Sequence, residues 1–383
     1  MRQLRAKVWV GAGVVALAVA CNGPQGDRSQ PAFAASVRFT RAEYDAAPRL
    51  ALRRMYAICE GGRTPVCQFR SIDVAALGPG RRVLLAQAYG VAQEFDSTGR
   101  WTRSLGRLGA GPGEYRKVMT AGYDSAGGII LFDLSGFRIV TFGSLGRPLW
   151  TRNVSPSAEF TGVSAKGGRV VQWLVPGSET RGGIVTSQFA LMDSAGGSEA
   201  LASVVTKALR APGSDLMPLP PLFWASPVWD VGPGLSVVFS PGDRMRIERY
   251  RGDGAADLLV EGDVPVRAVT SAEVARKLAR SGTSGSPAPG VLAAQLREAA
   301  RNAAPFHPAI TDLAVLGDGS IWAKGSPASE SDSTRYDVFS RDGRLTGYVM
   351  LPAAARVVDG DATVVLVTAV DGAGAPFAAV YRR

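Results

Sequence analysis

Residues that could carry out catalysis are few in this chain of 383 residues, which contains one histidine, His307, between Phe306 and Pro308. One histidine cannot supply the three protein ligands that a catalytic zinc ion usually has. No Gly-x-Ser-x-Gly segment is present to form the nucleophile elbow of a Ser-His-Asp triad. We therefore expect a structural or surface role for His307. The sequence assigns no catalytic residue, no cofactor and no metal site.

Carboxylates leave one metal alternative open, because calcium binds oxygen ligands and needs no histidine. The chain has no EF-hand-like spacing, and Asp96, Asp133 and Asp318 lie in segments typical of turns. We interpret these three aspartates as turn caps. A carboxylate-bound metal at the centre of the molecule is the alternative.

The N-terminus has the features of an export signal, with basic residues followed by an apolar run from Val8 to Ala20. That run is too short to span a bilayer as a helix. Its end, Ala18-Val19-Ala20-Cys21, resembles a bacterial lipobox, which implies lipidation of Cys21; the rival is ordinary cleavage after Ala34. We predict a signal peptide over residues 1–20 and a flexible tether over residues 21–36, rich in Gly, Pro, Gln and Ser.

Two cysteines remain once Cys21 is assigned to a lipid, and they are Cys59 and Cys67. Glycines and a proline between them allow the chain to fold back as a hairpin. An exported protein matures in an oxidising compartment, so a Cys59–Cys67 disulfide is predicted. Two thiols with no neighbouring histidine cannot complete a zinc site.

The formal charge is +10, but three basic residues lie in the predicted signal peptide and the arginines are spread along the whole chain. Proteins that follow a phosphate backbone concentrate basic residues on one face or segment. The sequence therefore does not predict nucleic-acid binding.

Internal repetition is the main indication of the fold. An aromatic or large apolar residue followed four positions later by glycine recurs between β-rich runs, at intervals of 47 to 58 residues and one of 89, beginning at Phe95, Phe142, Met192, Tyr250 and Phe339. A second turn precedes an apolar strand in several units, as at residues 124–128 and 317–319. Units of this length with four short strands are typical of propeller blades.

The long interval contains a helical insert, predicted over residues 264–305. Thr270 and Glu273 form a capping box, and an alanine-rich amphipathic segment runs from Leu292 to Ala304. The final run places Tyr381 at the repeat position, and the strand-like run from Leu50 to Ala57 can complete this last unit. We predict an all-β, six-bladed propeller over residues 37–383 with a small α-helical insert.

The segment Gly106–Tyr115, GRLGAGPGEY, resembles the link after the first blade in the six-bladed β-propeller lipoproteins of bacteria, relatives of the NHL-repeat propellers. The resemblance extends over most of the mature chain and implies the fold without a function. Its glycines match neither the dinucleotide fingerprint nor a phosphate loop, so we interpret the link as structural. We interpret four tryptophans as blade core and not as a sugar platform, namely Trp173, Trp224, Trp229 and Trp322.

These features predict an exported, lipid-anchored binding or scaffold module of the cell envelope. Its expected ligand is a protein or glycan at a face of the propeller, its membrane contact is the lipid on Cys21, and the chain is expected to be a monomer. The alternative function is an envelope hydrolase or lyase, similar to lactonases, that uses a carboxylate-bound metal at the central channel.

Overall fold

The computed structural model describes the chain in stretches that cover residues 31–62, 64–154, 160–174, 184–192, 198–207, 221–281, 289–326 and 333–383. Residues Phe33–Arg383 form one compact unit, distinct from residues Met1–Ala32. The predicted signal peptide, Cys21 and most of the tether lie outside the described residues. Within the described stretches, no helix is both long and apolar enough to cross a membrane.

Before the first blade come β1 (Ala35–Phe39), α1 (Arg41–Ala46) and β2 (Arg53–Ile58). Blade 1 contains β3 (Val74–Leu77), β4 (Val83–Ala86), β5 (Ala92–Phe95) and β6 (Trp101–Leu105). A short pair follows, formed by β7 (Arg107–Leu108) and β8 (Glu114–Tyr115). Blade 2 contains β9 (Val118–Tyr123), β10 (Ile129–Asp133), β11 (Arg138–Phe142) and β12 (Pro148–Asn153).

Blade 3 contains β13 (Phe160–Lys166), β14 (Arg169–Leu174), β15 (Ile184–Met192) and β16 (Ser198–Lys207). Blade 4 contains β17 (Val228–Val231), β18 (Val237–Ser240), β19 (Arg246–Tyr250) and β20 (Ala256–Gly262). The insert contains α2 (Ser271–Ser281) and α3 (Pro289–Arg301). Blade 5 contains β21 (Asp312–Val315), β22 (Ile321–Lys324), β23 (Ser333–Phe339) and β24 (Leu345–Pro352), and blade 6 contains β25 (Arg356–Gly360), β26 (Val364–Val370) and β27 (Pro376–Arg382).

These strands confirm the six-bladed propeller and its helical insert. The first strand of each blade lies beside the first strand of the next, and β25 lies beside β3, so the inner strands close a ring. Blade 6 takes its outer strand from the N-terminal part of the chain, because β2 pairs antiparallel with β27. This pairing confirms the predicted closure by the run from Leu50 to Ala57.

Apolar contacts between neighbouring blades hold the ring together. Each of the main clusters of buried apolar residues lies between two blades, as with Tyr115 and Phe142 between blades 1 and 2 and Trp322 and Tyr336 between blades 5 and 6. Alternation along the strands directs these side chains to the two sides of each blade. Every residue of β10 and β11 is buried, and burial on both sides explains why β10 is apolar except for Asp133.

The repeated turns are capped as predicted. The Asp96 carboxylate accepts hydrogen bonds from the backbone N–H groups of Thr98 and Arg100 at 2.8 and 3.0 Å, and Gly99 has φ of 84°. The carboxylates of Asp318 and Asp133 similarly accept backbone N–H groups within their own turns. A left-handed residue at this position is why glycine recurs in the repeat.

The N-terminal segment departs from the prediction, because the tether was expected to extend to Ser36. Instead β1 begins at Ala35 and pairs parallel with β20, which gives blade 4 a fifth strand. The outer edge of a blade carries unpaired N–H and C=O groups, and an extended segment can satisfy them regardless of its apolar pattern. The Arg335 guanidinium lies 3.8 Å from the ring centroid of Tyr44 and 4.0 Å from that of Tyr348. These contacts attach the segment after β1 to blade 5.

Two faces of the ring are distinguished below. All inner strands begin at the upper face, which is formed by the segments that lead into them, including residues 59–73, 106–117, 221–227 and 302–311. The lower face is formed by the turns that join the first strand to the second and the third to the fourth in each blade. The insert lies between β20 and β21 and therefore belongs to the upper face.

Candidate functional site

The predicted disulfide is present between Cys59 and Cys67, whose Cα atoms are 5.0 Å apart. It closes the upper-face segment between β2 and β3. The backbone N–H of Gly61 donates a hydrogen bond to the Asp371 carboxylate at 3.1 Å, which joins this loop to blade 6. The pair therefore stabilises the junction where the two ends of the ring meet.

Polar groups of the glycine-rich link at residues 106–115 form hydrogen bonds within the protein. The Glu114 carboxylate accepts the N–H of Gly111 at 2.7 Å, and the Arg138 guanidinium donates to the carbonyl oxygens of Ala110 and Gly109 at 2.7 and 3.2 Å. The Tyr115 hydroxyl accepts the N–H of Ala92 at 2.8 Å. A phosphate loop would instead present several N–H groups outward to a ligand, so these contacts agree with the structural interpretation.

The central channel contains a polar cavity of about 280 Å³ lined by all six inner strands. Side chains of blades 2, 4 and 6 each accept a backbone N–H from the next blade. Thr120 accepts from Ala165 at 3.0 Å, Asp230 accepts from Val315 at 2.8 Å, and Asp359 accepts from Leu77 at 2.9 Å. These bonds join the inner strands in pairs around the ring.

Lys166 lies between the two carboxylates of this cavity. Its Nζ is 3.2 Å from Oδ1 of Asp359 and 3.8 Å from Oδ2 of Asp230, and it donates to the carbonyl oxygen of Val315 at 2.6 Å. Burial opposes the charge on Lys166, but the attraction of Asp359 and Asp230 outweighs it and raises the pKa of the ammonium. Burial also raises the pKa of Asp230, against the pull of Lys166. We assign the ammonium form to Lys166, because the two carboxylates face it directly.

This arrangement does not match the alternative of a carboxylate-bound metal. Two carboxylates converge in the channel, as a metal site would require, but the Lys166 ammonium lies between them where a cation would bind. Across the described residues, no three His, Cys, Asp or Glu side chains are grouped closely enough to hold a metal ion. The channel geometry therefore favours a structural role for these charges.

A second cavity, the insert pocket, lies at the upper face where the insert meets blade 4 and has a volume of about 260 Å³. Its walls come from three segments: the chain before β17, the turn between β18 and β19, and the chain after α3. Its lining residues are mainly prolines, alanines and aromatic residues, namely Trp224, Ala225, Pro227, Pro241, Asp243, Ala304, Pro305, Phe306, His307 and Pro308.

Backbone hydrogen bonds hold the walls of the insert pocket together. Ala304 N–H donates to the carbonyl of Leu222 at 2.9 Å, and Ala309 N–H donates to the carbonyl of Gly242 at 2.9 Å. Val269 N–H donates to the carbonyl of Pro305, also at 2.9 Å. The three segments are therefore fixed to one another, and the pocket is formed before any ligand binds.

His307 is fixed in one wall of the pocket, with its side chain 7% exposed. Its ring meets the ring of Phe223 edge-on at 4.8 Å, and its Nε2 lies 3.2 Å from Oε1 of Glu273. Burial lowers the pKa of His307 despite this carboxylate, so the imidazole is neutral at pH 7. The Arg267 guanidinium and Thr270 hold the pKa of Glu273 well below its usual range. The contacts of His307 with Phe223 and Glu273 hold this wall of the pocket in place. The pocket lining contains no nucleophilic side chain that the neutral imidazole could activate.

The four tryptophans do not share one environment. Trp322 is buried in the core between blades 5 and 6, in agreement with the prediction. Trp229 lies beside the channel, and its ring centroid is 4.9 Å from that of Phe189. The prediction for Trp224 is wrong, because this residue precedes β17 and lines the insert pocket instead of packing in a blade core. The side chain of Trp173 lies outside the described residues. Prolines interleaved with aromatic residues, Pro221-Leu222-Phe223-Trp224 and Pro305-Phe306-His307-Pro308, are the sequence feature that marks the pocket.

Comparison with known proteins supports the fold alone. No protein family model and no curated protein matches the chain. A member of the DUF4221 family from Bacteroides vulgatus has a TM-score of 0.50 at 10% identity, over 87% of this chain and 97% of that one. A protein of Bacteroides fragilis named as a candidate exported protein has a TM-score of 0.46 at 10% identity, over 91% and 99% of the two chains. Virginiamycin B lyase from Staphylococcus aureus has a TM-score of 0.38 at 10% identity, over 80% and 83%.

Proposed function

We propose that this protein is an exported, lipid-anchored propeller that acts as a binding module of the cell envelope and that its ligand binds in the insert pocket. The observation that carries the proposal is the preformed apolar cavity at the upper face, with Trp224 in its lining and Phe306, 53% exposed, at its edge. Concave apolar sites with a few polar groups are where proteins usually bind ligands.

The N-terminal end of the folded unit contacts blade 4. Phe33 packs against Tyr250 with ring centroids 5.8 Å apart, and Ala34 N–H donates to the carbonyl of Ala256 at 3.2 Å. Tyr250 ends β19 and Ala256 begins β20, so the folded unit begins at the lower face. The insert pocket lies at the opposite, upper face.

Binding through the insert pocket is tested by replacing two lining side chains, the exposed Phe306 and the half-buried Trp224. We expect the full-length protein to retain envelope components in affinity capture, and Phe306→Ala with Trp224→Ala to lose the same components. Both side chains supply apolar contact area that a ligand would bury. Mass spectrometry of the captured material is the measurement.

Leu149→Ala is the matched control, because Leu149 is also an exposed apolar residue, at 65%, and lies on the outer strand of blade 2. The control is expected to retain what the unmodified protein retains. Identical captured components for the double variant and the control would refute the proposed site, provided that circular dichroism shows both variants folded.

Lipid anchoring is tested at the mature N-terminus. Mass spectrometry of protein extracted from membranes is expected to show a chain that begins at diacylglycerol-modified Cys21, since the thiol is the atom that accepts the lipid. Cys21→Ser is expected to accumulate as uncleaved precursor. An unmodified N-terminus at Ala35 would contradict the assignment of Cys21.

A further inference from the structure

The lower-face turn between β11 and β12, residues 143–147, carries an exposed leucine at its tip. Leu145 is 76% exposed, the largest exposed fraction of any large apolar side chain in the described stretches. A leucine contributes hydrophobic free energy only when its surface leaves water. The side chain of Leu145 is therefore available for contact with a surface outside the chain.

Hydrogen bonds from blade 1 hold this turn in place. The guanidinium groups of Arg82 and Arg103 donate to the carbonyl oxygen of Ser144 at 3.2 and 2.7 Å. Within the turn, the N–H of Gly146 donates to the carbonyl oxygen of Gly143 at 2.8 Å. The exposed leucine therefore has a fixed position at the lower face.

The surroundings of the turn carry an excess of positive charge. Arg82 and Arg103 share a single carboxylate, that of Glu94, so this network retains one positive charge. Arg147 ends the turn, which contains no acidic residue. Its side chain is exposed, and its guanidinium forms no hydrogen bond or ion pair with any residue that the structure describes.

A second positive site lies at the lower end of blade 6. Arg53 begins β2 and lies directly opposite Arg382 of β27. Both are exposed, and neither guanidinium has a hydrogen-bond or ion-pair partner among the described residues. Like charges directly opposite each other on paired strands are destabilising. By contrast, Arg251 and Arg344 on lower turns of blades 4 and 5 pair with an aspartate of their own turn.

The spacing of these groups favours an extended partner. Blade 1 lies between blades 6 and 2 in the ring, so one small anion cannot bind both Arg147 and the Arg53–Arg382 pair. A flat anionic surface can contact both sites at once. A bilayer also offers apolar surface beneath its charged headgroups, which suits an exposed leucine beside basic residues.

The lipid anchor proposed above would keep the ring close to such a surface. Only ten residues lead from Cys21 to Pro31, where the described chain begins. Ten residues span at most about 36 Å when fully extended. An anchored ring therefore stays within reach of the bilayer, and its charge distribution can determine which face turns toward the lipid.

We propose that the lower face of blades 6, 1 and 2 binds the surface of an anionic phospholipid bilayer. Leu145 enters the boundary between headgroups and acyl chains, and Arg147, Arg53 and Arg382 contact lipid phosphates. The inference goes beyond the insert pocket and takes from the proposed function only the lipid anchor. In this orientation the insert pocket, at the upper face, points away from the bilayer.

Fluorescent labels on the two faces test this orientation in the full-length chain with Cys21→Ser. Ser144→Cys and Ser271→Cys replace exposed serines of the turn and of the insert, and the native Cys59 and Cys67 are joined in the disulfide. We expect an environment-sensitive dye on the turn to shift to shorter wavelength with vesicles of phosphatidylcholine mixed with phosphatidylglycerol, and much less with phosphatidylcholine alone. The dye on the insert is expected not to shift. All chains share one N-terminal segment, so the difference reports on the ring.

Variants assign the contributions to binding. Arg147→Glu and Arg382→Glu are each expected to weaken partitioning onto the mixed vesicles at least about fivefold, the contribution of one basic residue at an anionic surface. Leu145→Ser is expected to weaken it about tenfold through lost apolar burial. Arg116→Glu and Val266→Ser are the matched controls, because both side chains are exposed on the upper face, and they are expected to bind as the unmodified chain does.

The same shift with both kinds of vesicle, or equal shifts of the dyes on the turn and the insert, would overturn the inference. A shift with polyglutamate but not with vesicles would assign the face to an acidic protein and would also overturn it. The failures of the two proposals can be told apart. The label test uses an unlipidated chain and no residue of the insert pocket, so an unmodified mature N-terminus or unchanged capture by the pocket variants does not alter its outcome.

Discussion

Replacing the buried Glu94 with alanine is expected to lower the free energy of unfolding by about 2–4 kcal/mol, because two arginines, each 25% exposed, would lose their shared carboxylate. Glu94 is 2% exposed, and its oxygens lie 2.6 Å from Nη2 of Arg103 and 3.1 Å from Nη1 of Arg82. The Tyr123 hydroxyl donates to the same carboxylate at 3.0 Å. Both guanidinium groups also donate to the carbonyl of Ser144, so the network joins blade 1 to blade 2.

Urea denaturation followed by tryptophan fluorescence measures this loss. The control is Glu60→Ala, which removes an ion pair with Arg54 whose side chains are 40% and 42% exposed. Exposed pairs contribute at most about 1 kcal/mol, since water screens them. A loss for Glu94→Ala no larger than that of the control would show that the network does not stabilise the ring.

Replacing Lys166 with methionine is expected to destabilise the protein by about 2–4 kcal/mol at pH 7, because Asp230 and Asp359 would face the channel without their cation. The side chains of these three residues are 16–19% exposed, so channel water reduces the cost below that of full burial. The double variant Lys166→Met with Asp359→Asn is expected to recover part of the stability. A surface replacement on α2, Arg276→Met, is the control and is expected to change stability by less than about 0.5 kcal/mol, because Arg276 is exposed.

The pH dependence of the Lys166→Met variant has a definite sign. Burial raises the pKa of Asp230 even in the unmodified protein, and loss of Lys166 removes the main group that opposes this shift. A carboxyl group whose pKa is higher in the folded state binds a proton more readily there. The free-energy cost of its buried charge is therefore removed as the pH falls through that raised pKa. Denaturation at pH 7 and pH 5 is therefore expected to show a smaller deficit at pH 5. A deficit that is unchanged or larger at pH 5 would contradict the assignment.

In the unmodified protein the stability that the Lys166 ammonium contributes is expected to be lost at high pH. Its pKa is raised in the folded state, so its contribution to stability is complete below the ordinary lysine value and is lost as the pH rises through the folded one. The same group thus stabilises the channel throughout the neutral range.

Local patterns in the sequence were enough to predict the blades and their turns, and the closure followed from the repeat count, because the last unit lacked an outer strand. The turn glycines and the capping aspartates, such as Gly99 and Asp96, follow from backbone conformation and from hydrogen bonds within a few residues. The Thr270 and Glu273 capping box of α2 is local in the same way. The two cysteines of the disulfide are eight positions apart in one loop, so their pairing could also be predicted from the sequence.

Tertiary structure alone decided the features that depend on distant segments. The strand β1 pairs with a blade edge more than 200 residues away, and its own pattern carries no sign of that partner. Lys166 finds its carboxylates on blades 4 and 6, and the insert pocket combines three segments that are separate in the chain. Local propensity determines strands and turns because it acts over a few residues, whereas ion pairs and cavities arise only when ring closure brings remote side chains together.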